Sequence, residues 1–349
     1  MNERDRTRDG AGARFAEVLA AAVLICAVAG CASAPLESSE AAAAITGEWL
    51  GQALPGDQAK LFAPGIVSNG WYTRDLTVTP DGDEIYFTVM LPHFQFSTIL
   101  VTRRVDGVWT EPEVAPFSGR YKDLEPAVSP DGHSFFFVSH RPEDGAGDPE
   151  EDSDIWVMQR TETGWSDPAP LGPPVNTEGQ EYFPSVTLDG TLYFTRRPPD
   201  DDEGIYRARH ADGAYLEPER LGPEVNAGRA RFNAWISADE SFLILPIAGI
   251  EGAQGAVDYY VTFRNDDDTW SGPVNLGDRV NSAFRPEYAA SLSPDGRWLF
   301  FMGTRGRYAD SRMEPPLDRA ALERIHSEPE NGNPDIYWID AGFIQDLRP

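Results

Sequence analysis

The sequence predicts an all-β fold, a five-bladed β-propeller of four-stranded antiparallel blades, and three observations lead there. First, a Ser/Thr-x-Asp-Gly turn recurs along the 349 residues, at Thr79-Pro80-Asp81-Gly82, Ser129-Pro130-Asp131-Gly132, Thr187-Leu188-Asp189-Gly190 and Ser293-Pro294-Asp295-Gly296. A degraded copy stands at Ser237-Ala238-Asp239-Glu240. Second, the aspartates Asp81, Asp131, Asp189, Asp239 and Asp295 lie 50, 58, 50 and 56 residues apart. Self-similarity at that period marks a propeller or an array, whose single units cannot bury their apolar face alone. Third, the turns are flanked by short aromatic and β-branched runs bounded by Gly, Pro and Asp, which is the composition of strands.

Each repeat supplies four such runs in one order, as a propeller blade requires. In the second repeat, residues 124–128 enter the turn and Ser134-Phe135-Phe136-Phe137-Val138 leaves it. Asp154-Ile155-Trp156-Val157-Met158 forms a third run, and Trp165 opens a fourth. Third strands are expected likewise at 98–101, 204–206, 258–261 and 335–338. Fourth strands begin with an aromatic at Trp109, Trp165, Tyr215 and Trp270, each with Pro three residues on. An aromatic at one station of every blade reads as a wedge between neighbouring sheets. In the turns, Asp bonds its own backbone two residues on and Gly supplies positive φ, so these motifs are structural punctuation.

The fifth repeat lacks a fourth strand of its own. Residues 59–68 read like the fourth strands elsewhere, so they are expected to complete blade five and close the ring, removing an exposed edge. The repeats fall at about 71–119, 120–177, 178–227, 228–282 and 283–349. In the last, Asp318 is a fair N-cap, and Leu322 and Ile325 share a face, which predicts one short helix inserted in blade five.

These repeats resemble the WD40-like repeats of TolB-type bacterial propellers, which carry the same Ser-Pro-Asp-Gly turn before an aromatic strand and an Asp-Ile-Tyr/Trp strand after it. Residues 61–68 and Asn331-Gly332-Asn333-Pro334-Asp335-Ile336-Tyr337-Trp338 resemble the two ends of such a protein. The resemblance covers residues 59–349 and implies a fold, not an activity, because propellers host unrelated functions. The fourth repeat departs from the pattern, with Ala238 and Glu240 where Pro and Gly are usual, and a looser turn is expected there.

Ahead of the repeats lies a leader. Residues 18–29 are an apolar run of 12, too short to span a membrane as a helix. The run ends in Val28-Ala29-Gly30-Cys31, which resembles the bacterial lipoprotein signal. That resemblance implies a signal peptide at 1–30, lipid on Cys31, and a flexible tether through residue 58 before the propeller domain at 59–349. Ala32 in place of Asp implies the outer membrane, on its periplasmic or surface side. Cys26 and Cys31 are the only cysteines, so the mature chain has neither a disulfide framework nor a Cys-based metal site. The leader carries four basic and four acidic residues, so the mature chain keeps the net charge of −28. Nucleic acid is thereby disfavoured as a partner, and membrane contact is expected through the lipid alone.

Inner strands run toward the Asp-Gly turns, which define a lower face. The long unequal loops at 91–96, 141–153, 198–203, 246–256 and 305–334 share the upper face, where a site is expected. Polar residues entering the inner strands, namely Arg74, Asp75, Asp123, Glu125, Glu181, Arg231, Asn233 and Glu287, are expected to converge on the channel mouth. They could bind a ligand there, or bond one another as buried polar groups do. The acidic loops Glu143–Asp154 and Asp200-Asp201-Asp202-Glu203 lack the EF-hand alternation and read as solvated, so no metal is assigned. Only His140, beside Arg141, has a plausible rim position. No nucleophile elbow, zinc motif or Gly-rich phosphate loop occurs, and no cofactor is implied. Two functions remain. One is a non-catalytic envelope lipoprotein binding a protein or glycan partner. The other is a glycan-processing enzyme using Asp75, Glu125 and Glu181, although Asp75 and Glu125 precede their turns by four residues and Glu181 by six.

Overall fold

A computed structural model describes residues 44–283, 287–306 and 315–349. The leader and Cys31 lie outside the described residues. Five antiparallel sheets of four or more strands follow one another along the chain, with a two-stranded hairpin, His210–Ala211 and Ala214–Tyr215, after the third strand of the third. Their inner strands are Tyr72–Val78, Asp123–Val128, Gln180–Val186, the interrupted pair Ala230–Arg231 and Trp235–Ile236, and Ala290–Leu292. Inner strands of blades one and two, two and three, three and four, and five and one pack on each other, and that of blade five meets the second strand of blade four, Phe242–Ala248, which closes a ring around a central axis. Second and third strands follow as the sequence predicts, for example Ser134–Ser139 and Asp154–Thr161 in blade two.

The fourth strands differ in detail. Trp109 and Trp165 prolong the third strands as hairpins, and the outermost ladder resumes only past the proline, at Glu113–Val114 and Ala169–Pro170. Proline has no amide hydrogen to give the ladder, so the strand breaks there. The wedge reading holds. Trp165 Nε1 donates to Tyr86 Oη of the preceding blade at 2.9 Å, and Trp270 packs edge-on against Tyr193 of blade three with ring centres 6.3 Å apart.

Ring closure occurs as expected, with Lys60–Leu61 pairing Tyr337 and Trp338 of blade five. The tether boundary is corrected. Ile45–Thr46 already forms a strand against Val108–Trp109 of blade one, and Leu50 is buried, so the folded unit starts at residue 44 and not at 59. The arm thus spans two blades. Trp49 and Leu50 sit over the seam where Phe62, Phe87, Phe300 and Trp338 meet. The inserted helix is present at Arg319–Ser327, its N-cap Asp318 accepting from the Ala321 amide at 2.7 Å.

The Asp-Gly turns are built alike. Thr79, Ser129, Thr187 and Ser293 each donate to the turn aspartate at 2.5–2.6 Å, and each glycine holds φ between 72 and 87°. Blade four was expected to be looser: it lacks the bond from Ser237 to the turn aspartate, Asp239 accepting from Ser241 Oγ at 2.7 Å instead, but its backbone turn is kept. Glu240 adopts φ 61° and donates its amide to Ser237 O at 2.9 Å. Its carboxylate offsets the strain by accepting from Tyr193 Oη at 2.6 Å and pairing with Arg264 at 2.5 Å. Among the described residues, no helix is long and apolar enough to cross a membrane.

Candidate functional site

One backbone feature organises the axis. The residue four positions before each turn Ser/Thr adopts a left-handed conformation in all five blades: Asp75 (φ 51°), Glu125 (57°), Phe183 (53°), Asn233 (52°) and Ala289 (71°). In blades one to three the ladder register shifts at this position, the mark of a β-bulge. A bulge inserts one unpaired residue and re-aims the side chains around it. Residues four and six before the turn therefore no longer share a face.

That splits the eight predicted residues into two sets. Arg74, Asp75, Glu125 and Asn233 come together. Arg74 Nε donates to Asp75 Oδ2 and its Nη2 to Glu125 Oε1, both at 2.7 Å, and Asn233 Nδ2 lies 3.5 Å from Glu125 Oε1. The other Glu125 oxygen accepts the Phe183 amide at 2.7 Å. Where blades one and three have Thr88 and Thr195 to accept the amides of Glu125 and Asn233, blade two has Val138 in the corresponding place. Glu125 takes over that structural task. Burial pushes its carboxyl up to about 7 despite Arg74, and burial also raises Asp75.

Asp123, Glu181, Arg231 and Glu287 do not join them, contrary to expectation. They occupy the station two residues earlier and brace their own blades. Asp123 accepts from Arg141 at 2.7 Å, and Glu181 accepts from Arg196 at 2.9 Å and from Thr177 Oγ1 at 2.6 Å. Glu287 accepts from Ser282 Oγ at 2.8 Å, and Arg231 Nε reaches Asn226 at 3.4 Å. Burial raises Asp123, Glu181 and Glu287, the last to about 8. Their arginine partners escaped the sequence reading. Arg141 and Arg196 stack on aromatics of their own sheets, and Arg305 does so in blade five. A legible signal existed, since each follows its acid by 15 or 18 residues at the end of the second strand. His140 is half-buried, and burial holds its imidazole below its usual value.

Above the bulges, Arg74 lies 5.3 Å from the centre of the Tyr288 ring. Phe232 packs edge-on against Tyr288 with ring centres 5.6 Å apart, and the Tyr72 hydroxyl stands 3.5 Å from that of Tyr288. Below them lies a cavity of about 630 Å³, running from Asp75, Glu125, Phe183 and Ala289 down to the turn residues Pro80, Pro130, Ala238 and Pro294. Residues Arg74, Tyr182, Phe232 and Tyr288 do not line it, so it belongs to the lower half of the axis, opposite the face expected to carry a site. The C-terminal 3-10 helix Ala341–Leu347 contributes Ile344 and Gln345 to its wall. Among the described residues, no group of three or more His, Cys, Asp or Glu side chains is placed to hold a metal ion.

No family model and no curated protein matches the chain. Solved structures do. The native arabinanase of Bacillus subtilis is 13% identical, with 82% of this chain and 99% of that one covered and a TM-score of 0.51. An endo-arabinanase of Bacillus licheniformis is 12% identical over 82% of this chain and 95% of the other, with a TM-score of 0.45. TolB of Acinetobacter baumannii is 19% identical over 68% of this chain, with a TM-score of 0.43, and this chain covers half of its length. At such identities the likeness concerns the fold alone.

Proposed function

We propose that the chain is a non-catalytic binding platform of the bacterial envelope, tethered through lipid on Cys31, whose protein or glycan partner engages the propeller axis. One observation carries the preference over catalysis. Asp75, Glu125 and Glu181 do not form a carboxylate set facing one volume. Glycosidic cleavage needs two carboxyls at a defined separation across a sugar. Here Arg74 bridges Asp75 and Glu125, Glu125 also serves the Phe183 amide, and Glu181 is fixed between Arg196 and Thr177.

Wild type, Glu125→Gln and Glu181→Gln are to be assayed against a panel of envelope and plant glycans, with unfolding measured in parallel. No bond cleavage is expected from any of them, and Glu181→Gln is expected to cost about 1–3 kcal/mol of stability through its disrupted buried bonds. Cleavage by wild type but not by Glu181→Gln would overturn the platform. The tether has its own check. Cys31→Ser should take up no labelled fatty acid in cells, and incorporation equal to wild type removes the anchor from the proposal.

A further inference from the structure

We propose that the lower axial cavity seats a neutral sugar unit at the end of a glycan chain, stacked on Trp235 and bonded by the hydroxyls of Thr77, Ser185 and Ser291. This rests on the reading of the axis as the partner's seat, and it chooses the glycan over the protein as the occupant.

One level of the ring faces the cavity. Two places before the turn Ser or Thr stand Thr77, Ala127, Ser185, Trp235 and Ser291, one from each blade, and all five line the cavity. The residue before each is buried, whereas Thr77, Ala127, Trp235 and Ser291 are half-buried, as strand alternation gives to a station turned toward the axis. Four of the five are small and keep the channel open, and the fifth is an indole. The volume of about 630 Å³ lies in the size class of small-molecule sites. The level stands two residues of strand above the turns, about 7 Å in, so a slim chain end reaches it and a flat protein surface does not.

The chemistry of that level suits a sugar. Each hydroxyl makes one bond to the next blade and keeps capacity for another. Thr77 Oγ1 accepts the Val128 amide at 3.3 Å and Ser185 Oγ the Ile236 amide at 2.9 Å, and among the described residues neither gives away its own proton. Ser291 Oγ donates to Leu76 O at 2.6 Å and keeps its lone pairs. The Trp235 N–H donates to no described residue. Phe242 backs the indole with ring centres 6.0 Å apart, which holds the ring in place and leaves its exposed part to the cavity. An aromatic face is electron-rich and attracts the polarised C–H groups of a sugar ring, while the sugar hydroxyls meet the unused donors and lone pairs. An apolar guest would leave those groups unmade. An anionic guest is disfavoured, because none of the described lining residues is Arg, Lys or His and the net charge of −28 repels it.

Calorimetric titration of the purified protein with maltotetraose, cellotetraose, mannotetraose and xylotetraose tests this, with tryptophan emission followed in parallel. Saturable single-site binding of at least one is expected, accompanied by a change in emission. It should weaken at least tenfold in Trp235→Leu. Ala238→Trp, at an exposed residue of the mouth, should weaken it as much while leaving the unfolding midpoint unchanged. Tetragalacturonic acid should not bind. No saturable binding of any of the four, undiminished binding in Ala238→Trp or in a folded Trp235→Leu, or equal binding of tetragalacturonic acid would each overturn the proposal. The platform reading fails separately: cleavage of a bound tetrasaccharide would sink the non-catalytic platform and keep the sugar seat. An envelope protein cross-linked by wild type and lost from Ala238→Trp, with no tetrasaccharide bound, would sink the sugar and keep the platform.

Discussion

A truncation that begins the chain at residue 62 is expected to lose cooperative unfolding and to aggregate, whereas one that begins at residue 44 should unfold like the full-length chain. The longer truncation removes both strands of the N-terminal arm. Ile45–Thr46 covers the hairpin of blade one, and Lys60–Leu61 completes blade five. Without them two blade edges present unpaired amides and carbonyls, which template association with other chains. Leu50 and Trp49 would also leave the apolar seam between blades five and one.

A point variant separates packing from edge exposure. Phe62 is fully buried, with ring centres 5.0 Å from Phe300 and 5.2 Å from Trp338. Phe62→Ala should cost about 3–5 kcal/mol through lost burial and the cavity left behind, while leaving the strand pairing in place. Urea unfolding with light scattering reads both effects. Equal midpoints for the two truncations would show that the arm does not close the ring.

The arm also shows where sequence reading stops. Its second strand was legible because residues 59–68 repeat the pattern of other fourth strands. Its first strand is two residues long, and two residues carry no periodicity. The blades themselves were legible because their turns need particular chemistry locally: an aspartate to accept two bonds and a residue that tolerates positive φ. Glu240 shows the limit even there, since its left-handed backbone is held by Tyr193 and Arg264 from elsewhere in the ring.

The axis was legible only in part for a related reason. The five left-handed residues are Asp, Glu, Phe, Asn and Ala, with no shared side chain to betray a shared conformation. Counting back from each turn already set Glu125, four residues ahead, apart from Glu181, six ahead; the left-handed backbone that gives the difference its structural meaning carries no sequence mark. The lower cavity left no local mark at all, because its walls come from all five inner strands and the C-terminal helix.

The buried cluster at the head of that cavity gives the other large expected effect. Arg74→Met should destabilise the protein by about 3–5 kcal/mol at pH 8, the cost of leaving buried carboxylates without their cation. Arg74 is about as buried as its partners, with 5% of its side chain exposed against 1% for Asp75 and 4% for Glu125. The pH dependence distinguishes charge from packing. Burial raises Glu125 to about 7 in the folded state, so the fold holds a proton that the unfolded chain releases near its ordinary carboxylate value. The stabilisation from that group is complete below the unfolded value and is lost as pH rises through about 7. Removing Arg74 removes the attraction that opposes the rise, so the variant should hold its proton to still higher pH and suffer most where the proton is taken away. Glu287 and Asp154, raised to about 8 and about 7, titrate in the same window in both proteins, so the difference between variant and wild type is the quantity to follow. That difference should grow from pH 5 to pH 8.5, and Arg74→Met combined with Glu125→Gln should remove much of the growth. A penalty constant across the range would mean that Arg74 acts through its packing against Tyr288, and the charged cluster would lose its place at the head of the cavity.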